Sequence, residues 1–114
     1  MDSGRPLHEV KADLFKGLAH PVRIRALELL DQHGTLGVSE LLEATGLEAS
    51  HLSQHLRVLR GAGLVSSERQ GSQVSYRLAH ASVSTMLAAA RTVLGDVLVA
   101  RHGEAGRLMQ EAGR

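Results

Sequence analysis

The chain has 114 residues, 43% apolar and 22% charged, with no Cys, no Trp, one Phe and one Tyr. That length suits one compact domain spanning residues 1–114, with a core of Leu, Val, Ile, Ala and Met, and leaves no room for a second. Thirteen Lys and Arg against twelve Asp and Glu leave a net charge of +1, so any basic surface must arise by local segregation, and the absence of Cys excludes disulfides, thiolate metal sites and thiol switches. No apolar run approaches the length of a membrane span, and residues 1–13 carry charges where a secretory signal needs an apolar core, so the expectation is a soluble, cytoplasmic protein.

In chain order, Val10, Leu14, Phe15 and Leu18 put one apolar stripe on a first short helix. Ala19-His20-Pro21 interrupts it, and Pro21 suits the first turn of a second helix with the stripe Val22, Ile24, Leu27, Leu29 and Leu30. Gly34 and Gly37 bracket a short extended piece; Val38 or Ser39 then opens a brief helix to Ala44, ended by the turn Thr45-Gly46. The helix from Ala49 to Arg60 carries Leu52, Leu56 and Leu59 on one face and Ser50, His51, Ser53, Gln54, Arg57 and Arg60 around the rest. Gly61-Ala62-Gly63 stops it. Leu64–Arg69 and Gln73–Leu78 read as a hairpin joined by Gln70-Gly71-Ser72, with Arg69, Gln70, Ser72 and Gln73 at its polar tip.

From Val83 to Arg101, the residues Met86, Leu87, Ala90, Val93, Leu94, Val97 and Leu98 sustain an apolar stripe too broad for the surface of a monomer. A ligand pocket, a membrane-lying face and a dimer seam are all open to it. The sparse cationic flanks count against a membrane, and a seam suits a protein that reads two-fold DNA sites. The remaining residues, with Gly103, Gly106 and Gly113, read as a frayed tail or a weak helix around Arg107–Ala112. Residues 1–8 and 103–114 are thus expected as mobile arms around an ordered core of residues 10–101.

Two helices joined by a Gly turn, the second polar, followed by a hairpin with Arg at its tip, is the order of a winged helix-turn-helix: mainly α with a small β-hairpin wing. Ser50, His51, Ser53 and Gln54 occupy the early turns from which side chains reach base edges in the major groove, whereas Arg57 and Arg60 lie later and suit phosphates. Residues 50–77 hold four Arg and one Glu, and residues 38–49 hold three Glu and no base, so charge is segregated as a DNA-facing element requires. Other candidates have plainer readings. His51 and His55, four apart, have the spacing of a zinc helix but lack a third ligand; Glu40 and Glu43 suit a solvated face. Without a nucleophile–base set, a phosphate-cradling Gly loop or a complete metal site, the chain does not read as an enzyme.

Leu14-Phe-Lys-Gly-Leu-Ala-His-Pro-Val-Arg-Ile-Arg-Ala-Leu, which ends at residue 27, Val38-Ser-Glu-Leu41, Ser53-Gln-His-Leu56, Leu59-Arg-Gly-Ala-Gly-Leu-Val65 and Tyr76-Arg-Leu78 resemble the ArsR/SmtB family of bacterial winged-helix repressors. The resemblance implies a homodimer joined by the first and last helices, here through Leu14, Leu87, Ala90, Leu94 and Val97. It also implies the second motif helix in the major groove, the hairpin tip along the minor groove, and an effector that lowers DNA affinity. His20 and His55 match the family's helix junction and its Ser-x-His-Leu pattern, which implies a local hydrogen bond for the first and a structural or phosphate-contacting role for the second.

Departures from the family concern the effector. Members that sense arsenic, cadmium or lead carry a Cys pair in the helix that here reads Glu40-Leu-Leu-Glu-Ala44, so thiolate sensing is excluded. Zinc, cobalt and nickel sensors place four ligands on the last helix, two from each subunit, and those positions fall on His80, Ser82, Val93 and Asp96. Only His80 and Asp96 can ligate. The pattern implies a degraded site, or a rearranged one holding nickel or zinc with water, His102 or Glu104. On one helix His80 and Asp96 stand about 24 Å apart, so a shared metal needs two chains. His8 with Asp13 is a further ligand set or the surface of a mobile arm. The resulting expectation is a homodimeric repressor on an imperfect palindrome in double-stranded DNA, with nickel or zinc as effector; the alternative is a winged-helix module acting with a protein co-repressor or sensing a non-metal ligand.

Overall fold

The computed structural model describes residues 4–112; of the expected arms, residues 1–3 and 113–114 lie outside the described residues. The elements are α1 (Leu7–Leu18), α2 (Pro21–His33), β1 (Leu36–Gly37), α3 (Val38–Thr45), α4 (Ala49–Gly61), β2 (Val65–Gln70), β3 (Gln73–Leu78) and α5 (Ala81–Ala112). They fall into two compact units, one running to Val83 and the other beginning at Ser84.

In the first unit the core is aliphatic: Ala26, Leu27, Leu29 and Leu30 of α2 meet Leu41 of α3, Leu52, Leu56 and Leu59 of α4, and Leu64, Val65 and Val83. Ala26 takes the place expected of Ile24, which is 40% exposed, because Ala26, Leu27 and Leu30 share a face that Ile24 leaves. Phe15, expected on the packed stripe of α1, is likewise exposed. Gly17 is the buried residue of α1: a Cβ there would stand 2.9 Å from the Ala62 Cβ, so glycine is what lets α1 close on the end of α4.

The break at His20 falls where expected. Its Nδ1 accepts the Val22 N–H at 3.1 Å and caps α2, with Pro21 at the first helical position. At the far end of α4, Leu64 N–H donates to Leu59 O and Gly63 N–H to Arg60 O, both at 3.0 Å, with Gly63 at φ +77°. This Schellman closure turns the chain directly into the hairpin. β2 and β3 pair antiparallel from Val65↔Leu78 to Gln70↔Gln73, so Gln70 belongs to the strand and the turn is Gly71-Ser72. β1 adds a third strand to the edge of β3, with Leu36 opposite Tyr76.

At both ends helix reaches into the segments expected as arms, and the helix expected around Arg107–Ala112 is part of α5. α1 begins at Leu7, where Arg5 ties the first turns by bonding Asp13 at 2.7 Å and pairing with Glu9 at 3.8 Å. α5 continues through Gly103 and Gly106 to Ala112, so residues 103–112 are helical. Each glycine costs about 1 kcal/mol relative to Ala, but Glu104, Arg107, Leu108, Met109, Gln110 and Glu111 around them are strong helix formers. The expectation that no stretch has the length of a membrane span is corrected: by length and composition alone, the helix over residues 81–111 qualifies. Arg91 and Asp96 stand near the middle of that stretch, where each would cost about 2.5–3.5 kcal/mol in a bilayer. Its Val93, Leu94 and Leu98 are 60%, 55% and 51% exposed in the single chain.

Candidate nucleic-acid interface

α3 is set by its two ends. The Glu40 carboxylate accepts the Gly37 N–H at 3.0 Å, the Thr45 hydroxyl donates to Leu41 O at 2.7 Å, and Gly46 closes the helix in the left-handed region. Leu41 is buried against α2, so the turn delivers α4 from a fixed position. α4 starts after Glu48 without a side-chain cap and buries Leu52, Leu56 and Leu59 to within 2% exposure. With that face anchored, Ser50, His51, Ser53, Gln54, Arg57 and Arg60 are all exposed. α4 packs on β2, and the wing carries Arg69, Gln70, Ser72 and Gln73, all exposed, at and beside its turn. The ten expected DNA-contacting residues therefore lie on α4 and the β2–β3 wing of one compact unit. Arg77, exposed on β3, adds a further cation to the wing.

One cluster was not legible as such. His55, at the edge of the buried face of α4, sets its ring against His20, with centroids 4.3 Å apart and planes at 43°. Arg23, one turn into α2, donates through Nη2 to Lys16 O at 3.3 Å, and its Nε is buried without a hydrogen-bond partner. Burial pushes the His55 imidazole below the usual histidine range, and the charges of His20, Arg23 and His51 push it the same way. His51 is exposed and His55 is half-buried against His20, and among the described residues no third ligand joins them.

The expected metal ligands are exposed along the chain rather than gathered. His80 precedes α5, and Asp96, His102 and Glu104 are spread along it. His102 and Glu104, two positions apart, point to different sides of the helix. Among the described residues no three His, Asp or Glu side chains group to hold a metal ion, so the residues of one chain do not fit a nickel or zinc site. The His8 and Asp13 alternative fares no better, because Asp13 is committed to Arg5, whose guanidinium holds its carboxyl below the usual carboxylate range.

A helix-turn-helix with an anchored core face, an exposed polar and cationic face and a β wing defines a DNA-binding regulator of the winged-helix class. The family described as "Bacterial regulatory protein, arsR family" matches residues 20–67. The chain is 50% identical over 94 residues to the HTH-type transcriptional regulator Rv0081 of Mycobacterium tuberculosis, covering 82% of each chain. The crystal structure of M. tuberculosis Rv0081 superposes with a TM-score of 0.79 at 48% identity, over 86% of this chain and 98% of that one. The homodimeric winged helix-turn-helix DNA-binding domain Mb0332 of Mycobacterium bovis, solved by NMR, superposes at 0.74 with 31% identity, over 84% and 88% of the two chains. The transcriptional repressor SmtB of M. tuberculosis is 40% identical over 75 residues, 66% of this chain and 55% of that protein. The chain belongs to the arsR family, and is a transcriptional regulator rather than an enzyme.

Proposed function

We propose that the protein is a homodimeric transcriptional repressor that binds an imperfect palindrome, with α4 in the major groove and the β2–β3 wing along the minor groove. The observation that carries this reading is the division of α4: Leu52, Leu56 and Leu59 hold it rigidly while Ser50, His51, Ser53, Gln54, Arg57 and Arg60 stand in solvent. Ser50, Ser53 and Gln54 then read base edges, Arg57 and Arg60 take phosphates, and Arg69, Gln70, Ser72 and Gln73 follow the adjacent groove. Repression is supported by the likeness to SmtB, and pairing by the likeness to the homodimeric Mb0332. Two copies pair through α5 at half-buried Leu87 and exposed Ala90, Leu94 and Val97, with Leu14 of α1 as a second contact. A bacterial operator sets the site of action in the cytoplasm.

On a duplex enriched from a random pool, Arg57→Ala is expected to weaken binding by a similar factor on all sequences and to lower the salt slope by about one, as for a lost phosphate contact. Gln54→Ala is expected to cost about 1–3 kcal/mol on the enriched duplex and much less on a scrambled one. Fluorescence anisotropy at several salt concentrations reads both. Full discrimination in the Gln54 variant would remove that residue from base readout.

The effector is separate from this reading. Nickel or zinc requires ligands from two chains, since one chain does not assemble them, and a protein co-repressor is not supported by the relatives above. With nickel or zinc as effector, calorimetric titration of the purified dimer is expected to show a site that His80→Ala or Asp96→Ala weakens, and unchanged stoichiometry and affinity in both variants would rule that site out. A stoichiometric site lost in either variant would establish the metal.

A further inference from the structure

We propose that His20 and His55 form a latch between the N-terminus of α2 and the reading helix α4, closed while the His55 imidazole is neutral and opened when it is protonated. This rests on the reading of α4 as the DNA-contacting helix.

The latch has two parts. His20 Nδ1 accepts the Val22 N–H, which caps α2 and fixes the orientation of the His20 ring. The His55 ring stands against that same ring at 4.3 Å, so the cap and α4 are held in register by direct side-chain contact. The charged groups acting on His55 are His20 at the α1–α2 junction, Arg23 on α2 and His51 on α4 itself. All are bases, with no carboxylate among them to stabilise an imidazolium. Arg23 is held in place by Lys16 O, which anchors its positive charge beside the pair.

The sign follows from linkage. The pKa of His55 is lower in the folded chain than in the unfolded one, so its contribution is present above the ordinary histidine range and is lost as pH falls through the folded value. Acid therefore strains the contact between α4 and the start of α2, and both fold and DNA affinity weaken in the same window. This is opposite to a histidine lying on a phosphate, whose protonation strengthens DNA binding.

The test compares wild type with the double variant His20→Asn, His55→Gln. Asn retains a side-chain acceptor for the Val22 N–H, Gln remains polar, and neither titrates. Thermal unfolding from about pH 7.5 to about pH 5.5 needs no DNA; the wild-type midpoint is expected to fall more steeply with acid than that of the variant. Over the same range, wild-type affinity for a duplex enriched from a random pool should drop by about fivefold relative to the variant, the low end of a site-to-site coupling. His51 is present in both proteins and cancels in the ratio. Parallel pH profiles in unfolding would overturn the latch whatever happens with DNA, as would a wild-type affinity that rises with acid relative to the variant. Should the double variant prove unfolded, His55→Gln alone is expected to flatten the acid dependence of the unfolding midpoint, and an unchanged profile there overturns the latch too. Failure to enrich any duplex at about pH 7.5 would instead count against the DNA reading, leaving the unfolding comparison to decide the latch.

Discussion

Replacing Leu94 by Glu is expected to yield a monomer that binds the enriched duplex at least about a hundredfold more weakly, because linking two half-site readers raises avidity by about 10²–10⁴. Leu94 is 55% exposed in the single chain and lies on the face of α5 that we assign to a second copy. A carboxylate pressed into that face would be desolvated without a partner charge, a cost that separation of the two chains relieves at once. Its exposure within the chain also makes the result clean: the hydrogen bonds and core of the unit that ends at Val83 do not include it, so circular dichroism should remain that of the wild type. Sedimentation equilibrium reads the state of association directly. A Leu94→Glu protein that remains dimeric would show that α5 does not pair the chains.

Leu52→Ala is expected to cost about 2–5 kcal/mol, a large share of the 5–15 kcal/mol that holds a typical domain together. Leu52 is fully buried on the face that binds α4 to the core, next to Leu56 and Leu59, and removing its isobutyl group leaves a cavity that two neighbouring leucines cannot fill. The effect reaches function because Ser53 and Gln54 are its immediate neighbours on the outer face. By contrast Arg57→Ala, on the exposed side of the same helix, should leave stability within about 0.5 kcal/mol while still weakening DNA binding. Urea denaturation of the two variants separates the roles; a Leu52 variant as stable as wild type would mean that α4 is not seated by this face.

Much of this was legible in the sequence because its signals are local. Pro21 and His20 mark a helix start wherever they fall in a soluble chain, the 52/56/59 spacing separates a buried face from a polar one, and Gly71 between alternating strands marks a hairpin. What escaped lacks such a signal. β1 is two residues long and has no period, so its pairing with β3 could not be read from Leu36 and Gly37 alone. Gly103 and Gly106 read as breakers, but strong helix formers around them carry α5 onward. Ile24 was placed inside by type, and a neighbouring Ala26 one face over took the position. The His20–His55 contact joins residues 35 positions apart, and nothing in either local sequence announces the other. The expected ligands His80 and Asp96 came from family positions, and the described residues of one chain give them no third partner.

The most direct test of the central claim is selection from a random duplex pool with the purified protein, followed by sequencing of the enriched fragments and measurement of the number of chains bound to each. A winged-helix homodimer reading DNA through α4 is expected to enrich an imperfect inverted repeat, its half-site centres one helical turn of about 34–36 Å apart or a multiple of it, with two chains per duplex. No enriched sequence, or a single unrepeated site bound by one chain, would contradict it.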